Sequence, residues 1–489
     1  MMTPMLSTSF ALIVVIVIDQ FRNDQLLRAQ KSMNPAGIGM LVNKGIFYDD
    51  AHHSQFFNMT CPGHVAISTG APSGLNGIMI NDDWDSKNHK RVYCVADPNY
   101  KWIGAEADTK DGYYGSSAAR ILTTTVGDEV KTMWGSESKV VSVSLKDRSA
   151  IAMGGHKTDS VYWYGYKSSL WTTSTYYQSS GELPGWVKKF NESHVKQKNS
   201  DKEAYGLADE SVRDETDFTL AAAEAENLGH HPKTDLLWVS YSTHDFVGHE
   251  KGDNSPELRE TLKVEDASIA KLLAQLQKRI GLQKKMLVVL TADHGAGFDT
   301  SSDNKIPGGK ENEQKMRKSL EECLANAGLK GTTPSISYFY AQNLFLSDEI
   351  KDKRLARIKA KECLASQTDS TWGAFTREEI MAGQFPQTPW LRNLASSYNP
   401  ERGPDVISVL KPYWNSNDNH AVSHETPYDY DSWVPVVVWF NGVKKMEVHR
   451  RISTLSIAPT LSRIMQTRRP SGSGSEYLTE VLDELSSAK

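Results

Sequence analysis

No stretch of the 489-residue chain is apolar for long enough to cross a bilayer, which takes about 20 residues. The apolar run at residues 10–18 stops at Asp19 with no small-residue cleavage site behind it, so it reads as a buried strand. A signal peptide, if the protein has one, is expected to be missing from this chain. Cysteine is sparse: the four residues are neither dense nor grouped like zinc ligands. In an oxidising compartment Cys61 has the option of pairing with Cys94, and Cys323 with Cys363; the sequence leaves this open. Long basic runs are absent and the formal net charge is −5, which argues against a general nucleic-acid binder. Repeats and low-complexity tracts are absent as well. A composition of 39% hydrophobic and 24% charged residues is globular, and the length suits one large α/β domain with an insertion or roughly two to three ordinary domains.

What is present is a series of short buried-looking runs separated by helical or turn-rich stretches. Residues 10–18 form a continuous β-branched run, the pattern of a strand covered on both faces. Residues 139–145, 161–164, 235–241, 286–291 and 434–440 read as further strands, and 171–177 as aromatic-rich strand or loop. A helix is expected from about Ser255-Pro256-Glu257, a cap-like entry, to about Arg279. Another is expected from Thr454. The alternation predicts an α/β fold with a doubly wound, mostly parallel sheet flanked by helices. Residues 311–410 change character, with polar helices and isolated strands such as 335–340. They read as an inserted cap or accessory subdomain, and residues 1–310 with 411–489 as the catalytic core.

Residues 56–70 carry a hydroxyl, Thr60, just before Pro62, a residue suited to the first turn of a helix. A helix N-terminus offers free N–H groups and the positive end of the dipole, so it favours a phosphate-like anion. An isolated Thr-x-Pro is ordinarily a helix cap. The rest of the chain weighs against that: Asp19, Asp245, His249, Asp293 and His294 all fall at or just after predicted strand ends, where such sheets bind ligands. One Asp–His pair is commonly a hydrogen-bonded turn, but several at separate strand ends lack a shared ordinary explanation. Zinc takes imidazole nitrogen and carboxylate oxygen, and two ions about 3.5–4 Å apart can hold both attacking and leaving oxygens. Lys146 and Arg148 stand two apart, so on an extended segment they point the same way. A monoester's nearly two negative charges suit such a pair, Arg with a planar fork of donors and Lys as a point charge.

Together the segments Asp19, Asn58-Met-Thr60-Cys-Pro-Gly-His64, Gly77-Ile-Met-Ile-Asn81, Ser242-Thr-His-Asp245-Phe-Val-Gly-His249, Thr291-Ala-Asp293-His294-Gly and His424-Glu-Thr-Pro-Tyr-Asp-Tyr-Asp431 resemble the alkaline phosphatase superfamily, in its order and over nearly the whole chain. Ser144-Leu-Lys146-Asp-Arg148 and the stretches from Trp163 and Trp171 resemble the PafA-type alkaline phosphatases, which use a Thr nucleophile. The resemblance implies two zinc ions per chain, one held by Asp245, His249 and His424, the other by Asp19, Asp293 and His294 with Thr60. It further implies a covalent phospho-threonine intermediate, with Asn81, Lys146 and Arg148 holding the non-bridging oxygens. His64 reads as a buried structural residue, and the Tyr-Asp-Tyr-Asp context favours His424 over His420 as the ligand. His244, before Asp245, and Asn76, where relatives often carry His, are departures from the pattern.

The expected activity is zinc-dependent hydrolysis of small phosphate monoesters, releasing inorganic phosphate. The likeness also implies phosphate scavenging in a periplasmic or secreted setting, by a monomer or weak oligomer with no membrane span. A phosphodiesterase or nucleotide pyrophosphatase on the same scaffold is the first rival. A sulfatase ranks lower, because the Arg that its motif needs four residues after the cysteine is Val65 here. An inactive binding homologue ranks lower too, since the proposed ligand set is complete. The aromatic residues Trp163, Trp171 and Tyr176 either line the entrance or pack.

Overall fold

The β-branched run becomes the strand Leu12–Ile18, buried throughout. Its side chains alternate between two cores: Leu12, Val14, Ile16 and Ile18 on one face of the sheet, Ile13, Val15 and Val17 on the other. The computed structural model describes residues 10–107, 115–194, 202–300, 306–329, 334–367, 369–416 and 419–487. The main sheet has ten strands, in the order Met446–Val448, Ile46–His52, Trp433–Phe440, Met286–Thr291, Leu12–Ile18, Asp235–Tyr241, Val140–Ser144, Ser160–Gly165 and Leu170–Thr172, with Ile452–Ser453 also paired to Ile46–His52.

Four strands at its centre run parallel and side by side: Val140–Ser144, Asp235–Tyr241, Leu12–Ile18 and Met286–Thr291. Neighbouring strands lie about 4.8 Å apart, so residues far apart in sequence emerge together at their carboxyl ends. The sheet is mixed, since Trp433–Phe440 pairs antiparallel with both Met286–Thr291 and Ile46–His52. The Ile46–His52 strand escapes a reading of hydrophobic pattern because Asp49 and Asp50 interrupt it. They lie where the register shifts between Val434 and Val436, opposite Pro435, which has no N–H to give the ladder.

The expected helix is Pro256–Ile280, and the Ser255 hydroxyl accepts from the Leu258 N–H as its cap. Between Gly309–Lys310 and Trp414–Asn415, which pair in parallel, the chain builds a second body of structure. Its strands are not isolated: Ile336–Tyr340 joins a four-stranded antiparallel sheet with Asn343–Leu346, Val406–Leu410 and Thr371–Thr376. The helices Glu313–Asn326 and Lys353–Ala365 cover it over a separate apolar cluster. Both cysteine pairs are disulfides, Cys61–Cys94 and Cys323–Cys363. No helix among the described residues is long and apolar enough to cross a membrane.

Candidate active site

The candidate site forms where the central parallel strands end. Asp19 follows Leu12–Ile18, Asp293 and His294 follow Met286–Thr291, and Lys146 follows Val140–Ser144. After Asp235–Tyr241 the chain turns into the helix Thr243–Lys251, which carries Asp245 and His249 one turn apart on one face. His424 arrives from the loop before Trp433–Phe440.

Thr60 is the first residue of the buried helix Thr60–Thr69; Met59 takes the cap position, and no side chain caps the helix. The hydroxyl is therefore not spent on capping. It lies 3.5 Å from His294 Nε2 and accepts from Arg148 Nη2 at 3.4 Å. The helix can press this close because Gly63 has no side chain: a Cβ there would fall 2.0 Å from the Asp293 carbonyl oxygen.

Two groups of ligand atoms converge, Asp245 with His294 and His424, and Asp19 with Asp293 and His294, each within 4.8 Å of one another. His294 belongs to both, and His249 joins the first through Asp245, its Nε2 being 3.2 Å from Asp245 Oδ1. All three imidazoles are held in one tautomer. His249 Nδ1 donates to the Val422 carbonyl at 2.8 Å, His294 Nδ1 to Gly295 at 2.9 Å, and His424 Nδ1 to Asn58 at 2.7 Å. Each Nε2 thus faces carboxylate oxygens, the side from which an imidazole would bind a cation held between them.

Asp19 Oδ1 and Asp293 Oδ2 are buried with no hydrogen-bond donor among the described residues. His64 Nδ1 is 3.1 Å from Asp293 Oδ2, but its proton goes to the Thr60 carbonyl at 2.8 Å. The donor set, carboxylates and imidazoles converging in two groups, fits metal binding.

The electrostatics agree. Burial, with the charges of Asp245 and Asp293 next, raises the Asp19 carboxyl well above its usual range. Burial would do the same to Asp245, but Lys146 and His249 outweigh it and hold that group well below. Burial, then His294 and His249, push the His424 imidazole down, so it stays neutral, the form that binds metal.

Lys146 and Arg148 do not lie on an extended segment. Lys146 caps the helix Asp147–Gly154 and Arg148 sits in its first turn, because Asp147 suits a helix start. The two side chains diverge in partners. Lys146 Nζ donates to Asp19 Oδ2 at 2.6 Å and Asp245 Oδ2 at 2.5 Å, and lies over the Phe246 ring. Arg148 instead reaches Thr60 and, through Nη1, the Tyr93 hydroxyl at 3.4 Å, which itself donates to Asp147 Oδ1 at 2.7 Å. Tyr93 carries no motif signal and is legible only here.

Asn81 is tied to the Thr60 helix: its Oδ1 accepts from the Cys61 N–H and its carbonyl from the Cys94 N–H, both at 2.9 Å. The Cys61–Cys94 disulfide closes that loop, leaving the Asn81 amide nitrogen as its remaining donor.

His64 has both ring nitrogens engaged, Nε2 with Ser240 Oγ at 2.7 Å. His244 turns away from the ligand groups to Glu265 and Gln25. His420 packs tilted against His249, its ring 4.4 Å away, outside both groups. Asn76 closes its own turn through Ala71 and Ile78. Trp163 and Trp171 are core residues, Trp171 stacked on Phe218 and Trp163 edge-on to Trp102. Tyr176 packs edge-on to Tyr100 and Tyr177.

The loop that brings in His424 is anchored by Asp431, whose Oδ2 accepts from the Thr426 N–H and hydroxyl at 2.8 and 2.6 Å. Burial pushes its carboxyl up to about 8. A folded pKa raised above the unfolded one gives stability that is complete below the unfolded value and lost as pH rises through the folded one. The loss is about 1.4 kcal/mol per pH unit between roughly 4 and 8. Asp431→Asn keeps an acceptor without the charge. Denaturant unfolding should show the variant gaining on the wild type from pH 5 to pH 8; parallel curves would refute this.

This is the architecture of the alkaline phosphatase superfamily of hydrolases. A family model described as type I phosphodiesterase / nucleotide pyrophosphatase matches residues 13–431, and the chain belongs to that family. It is 30% identical to alkaline phosphatase PhoV of Synechococcus elongatus, over 96% of this chain and 92% of that protein. It is 26% identical to alkaline phosphatase PafA of Elizabethkingia meningoseptica, over 96% of this chain and 94% of that protein. A crystal structure of wild-type alkaline phosphatase PafA superposes with a TM-score of 0.86 at 24% identity, covering 97% of this chain and 99% of that one.

Proposed function

We propose that this chain is a two-zinc phosphomonoesterase in which Thr60 is the nucleophile. The observation that carries the reading is the Thr60 hydroxyl, uncommitted to capping, at the start of a buried helix and within reach of the Arg148 guanidinium. Similarity to two proteins named alkaline phosphatase supports it.

Asp245, His249 and His424 would hold one zinc ion, and Asp19, Asp293 and His294 with Thr60 the other. Bound there, the ions supply Lewis-acid charge for the attacking and leaving oxygens. The reaction is two displacements. Thr60 Oγ bonds to phosphorus as the ester oxygen departs, and water then displaces Thr60 to release inorganic phosphate. Arg148 and the Asn81 amide nitrogen hold the non-bridging oxygens, and Lys146 keeps Asp19 and Asp245 in place while adding positive charge. Such positioning and charge stabilisation are most of what phosphoryl transfer asks of a protein. The two disulfides support a periplasmic or secreted setting, which fractionation of producing cells tests.

One observation favours a diester as substrate. Lys146 is engaged by two carboxylates, which leaves Arg148 as the cation nearest Thr60 and suits a singly charged group. The two readings separate in one experiment, hydrolysis of aryl phosphate monoester, diester and sulfate by the wild type and by Arg148→Ala. Loss of Arg148 should lower monoester kcat/KM by roughly 10²–10³-fold, the size seen for removal of a charge-stabilising donor, and diester turnover much less. Equal losses, or a wild type faster on diesters, would overturn the monoesterase reading.

A further inference from the structure

Gln20 stands between the two ligand groups. It follows Asp19 and adopts a left-handed backbone with φ 68°, a conformation that is unfavourable for a residue with a Cβ. Its backbone N–H donates to Asp293 Oδ1 at 3.1 Å, and its side-chain Nε2 donates to Asp245 Oδ1 at 2.8 Å. Asp293 belongs to one group and Asp245 to the other. One residue therefore orients a carboxylate in each.

The protein makes room for this side chain. At Gly248, on the helix that carries Asp245 and His249, a Cβ would lie 2.0 Å from Gln20 Oε1. The glycine leaves the space that the Gln20 amide occupies, and a side chain there would have to displace it. Gln20 is fully buried, and Oε1 has no donor among the described residues. Strain and an unsatisfied acceptor at one residue are costs that concentrate where a position is held for function.

We propose that Gln20 is a positioning residue that couples the loading of the two metal groups, an inference that rests on the two-zinc reading above. Filling the Asp245 group fixes Asp245, and through it the Gln20 side chain and the N–H that Gln20 presents to Asp293. The second ion then meets a carboxylate already oriented.

Zinc titration of the metal-free protein against a chromophoric chelator, with metal content per chain measured in parallel, tests this. The wild type should take up two ions in one cooperative step. Gln20→Gly keeps the left-handed backbone and its N–H but loses the side chain. It should load in two steps, the second ion bound 10–100-fold more weakly, the range for loss of a partner behind a metal ligand. Gly248→Ala, which displaces Gln20 without touching a ligand, should shift the isotherm the same way, with circular dichroism confirming that both variants are folded. Two ions in the wild type and unchanged isotherms in both folded variants would overturn the coupling alone. A wild type that holds well under two ions would overturn the zinc reading and this inference with it.

Discussion

Thr60→Ala is expected to lower kcat for an aryl phosphate monoester by at least roughly 10⁴-fold, the order seen when a covalent nucleophile is deleted from an otherwise intact site. The residue is buried, and among the described residues its hydroxyl meets His294 and Arg148. Its loss removes the oxygen that would bond to phosphorus and leaves the ligand carboxylates and imidazoles in place. Because Met59 holds the cap position, the change should cost little helix stability; with zinc in excess, metal content and melting temperature should stay close to wild type. Thr60→Ser, which keeps a hydroxyl, should recover most of the lost rate, and acid quenching with labelled substrate should trap phosphate on the wild type but not on Thr60→Ala. A variant that still turns over within tenfold of the wild type would sink the covalent mechanism.

Chelation should abolish turnover and also destabilise the fold. Asp19, Asp245 and Asp293 are buried within reach of one another, and Lys146 is the ammonium shared by two of them. Without a metal the surplus negative charge is relieved in part by protonation, and burial already drives the Asp19 carboxyl upward. Each ion present at about 1,000 times its dissociation constant contributes about 4 kcal/mol to the folded state. For a chain this long the loss of two corresponds to a fall of roughly 10 °C in melting temperature. Zinc added back should restore both activity and melting temperature. A chelated protein with unchanged activity and unchanged melting would contradict the metal assignment.

Much of the fold was legible in the pattern of residues. The runs at 235–241 and 286–291 coincide with their strands, and the Ser255-Pro256 entry with its helix, because burial on both sheet faces demands continuous β-branched segments and helix starts have a small vocabulary of caps. The Ile46–His52 strand was not legible, because its acidic residues sit at a bulge that exists only beside its partner.

The candidate site divides along the same line. Strand-end aspartates and histidines stand out in sequence, since a parallel sheet exposes the carboxyl ends of its strands. Gln20 and Tyr93 do not, because their roles lie in contacts across 225 and 54 residues of chain. The spacing of Lys146 and Arg148 was informative about chemistry but not geometry: a helix begins between them and sends one to the carboxylates and the other to Thr60.

By itself, then, the sequence determined the central strands of the sheet, the order of the ligand-type residues and the candidate nucleophile, because these depend on local pattern and residue chemistry. Only the tertiary structure decided which nitrogen of each histidine faces inward, which cation reaches Thr60, and that Gln20 joins the two ligand groups. Those are matters of distance and direction between segments that adjacent parallel strands bring together.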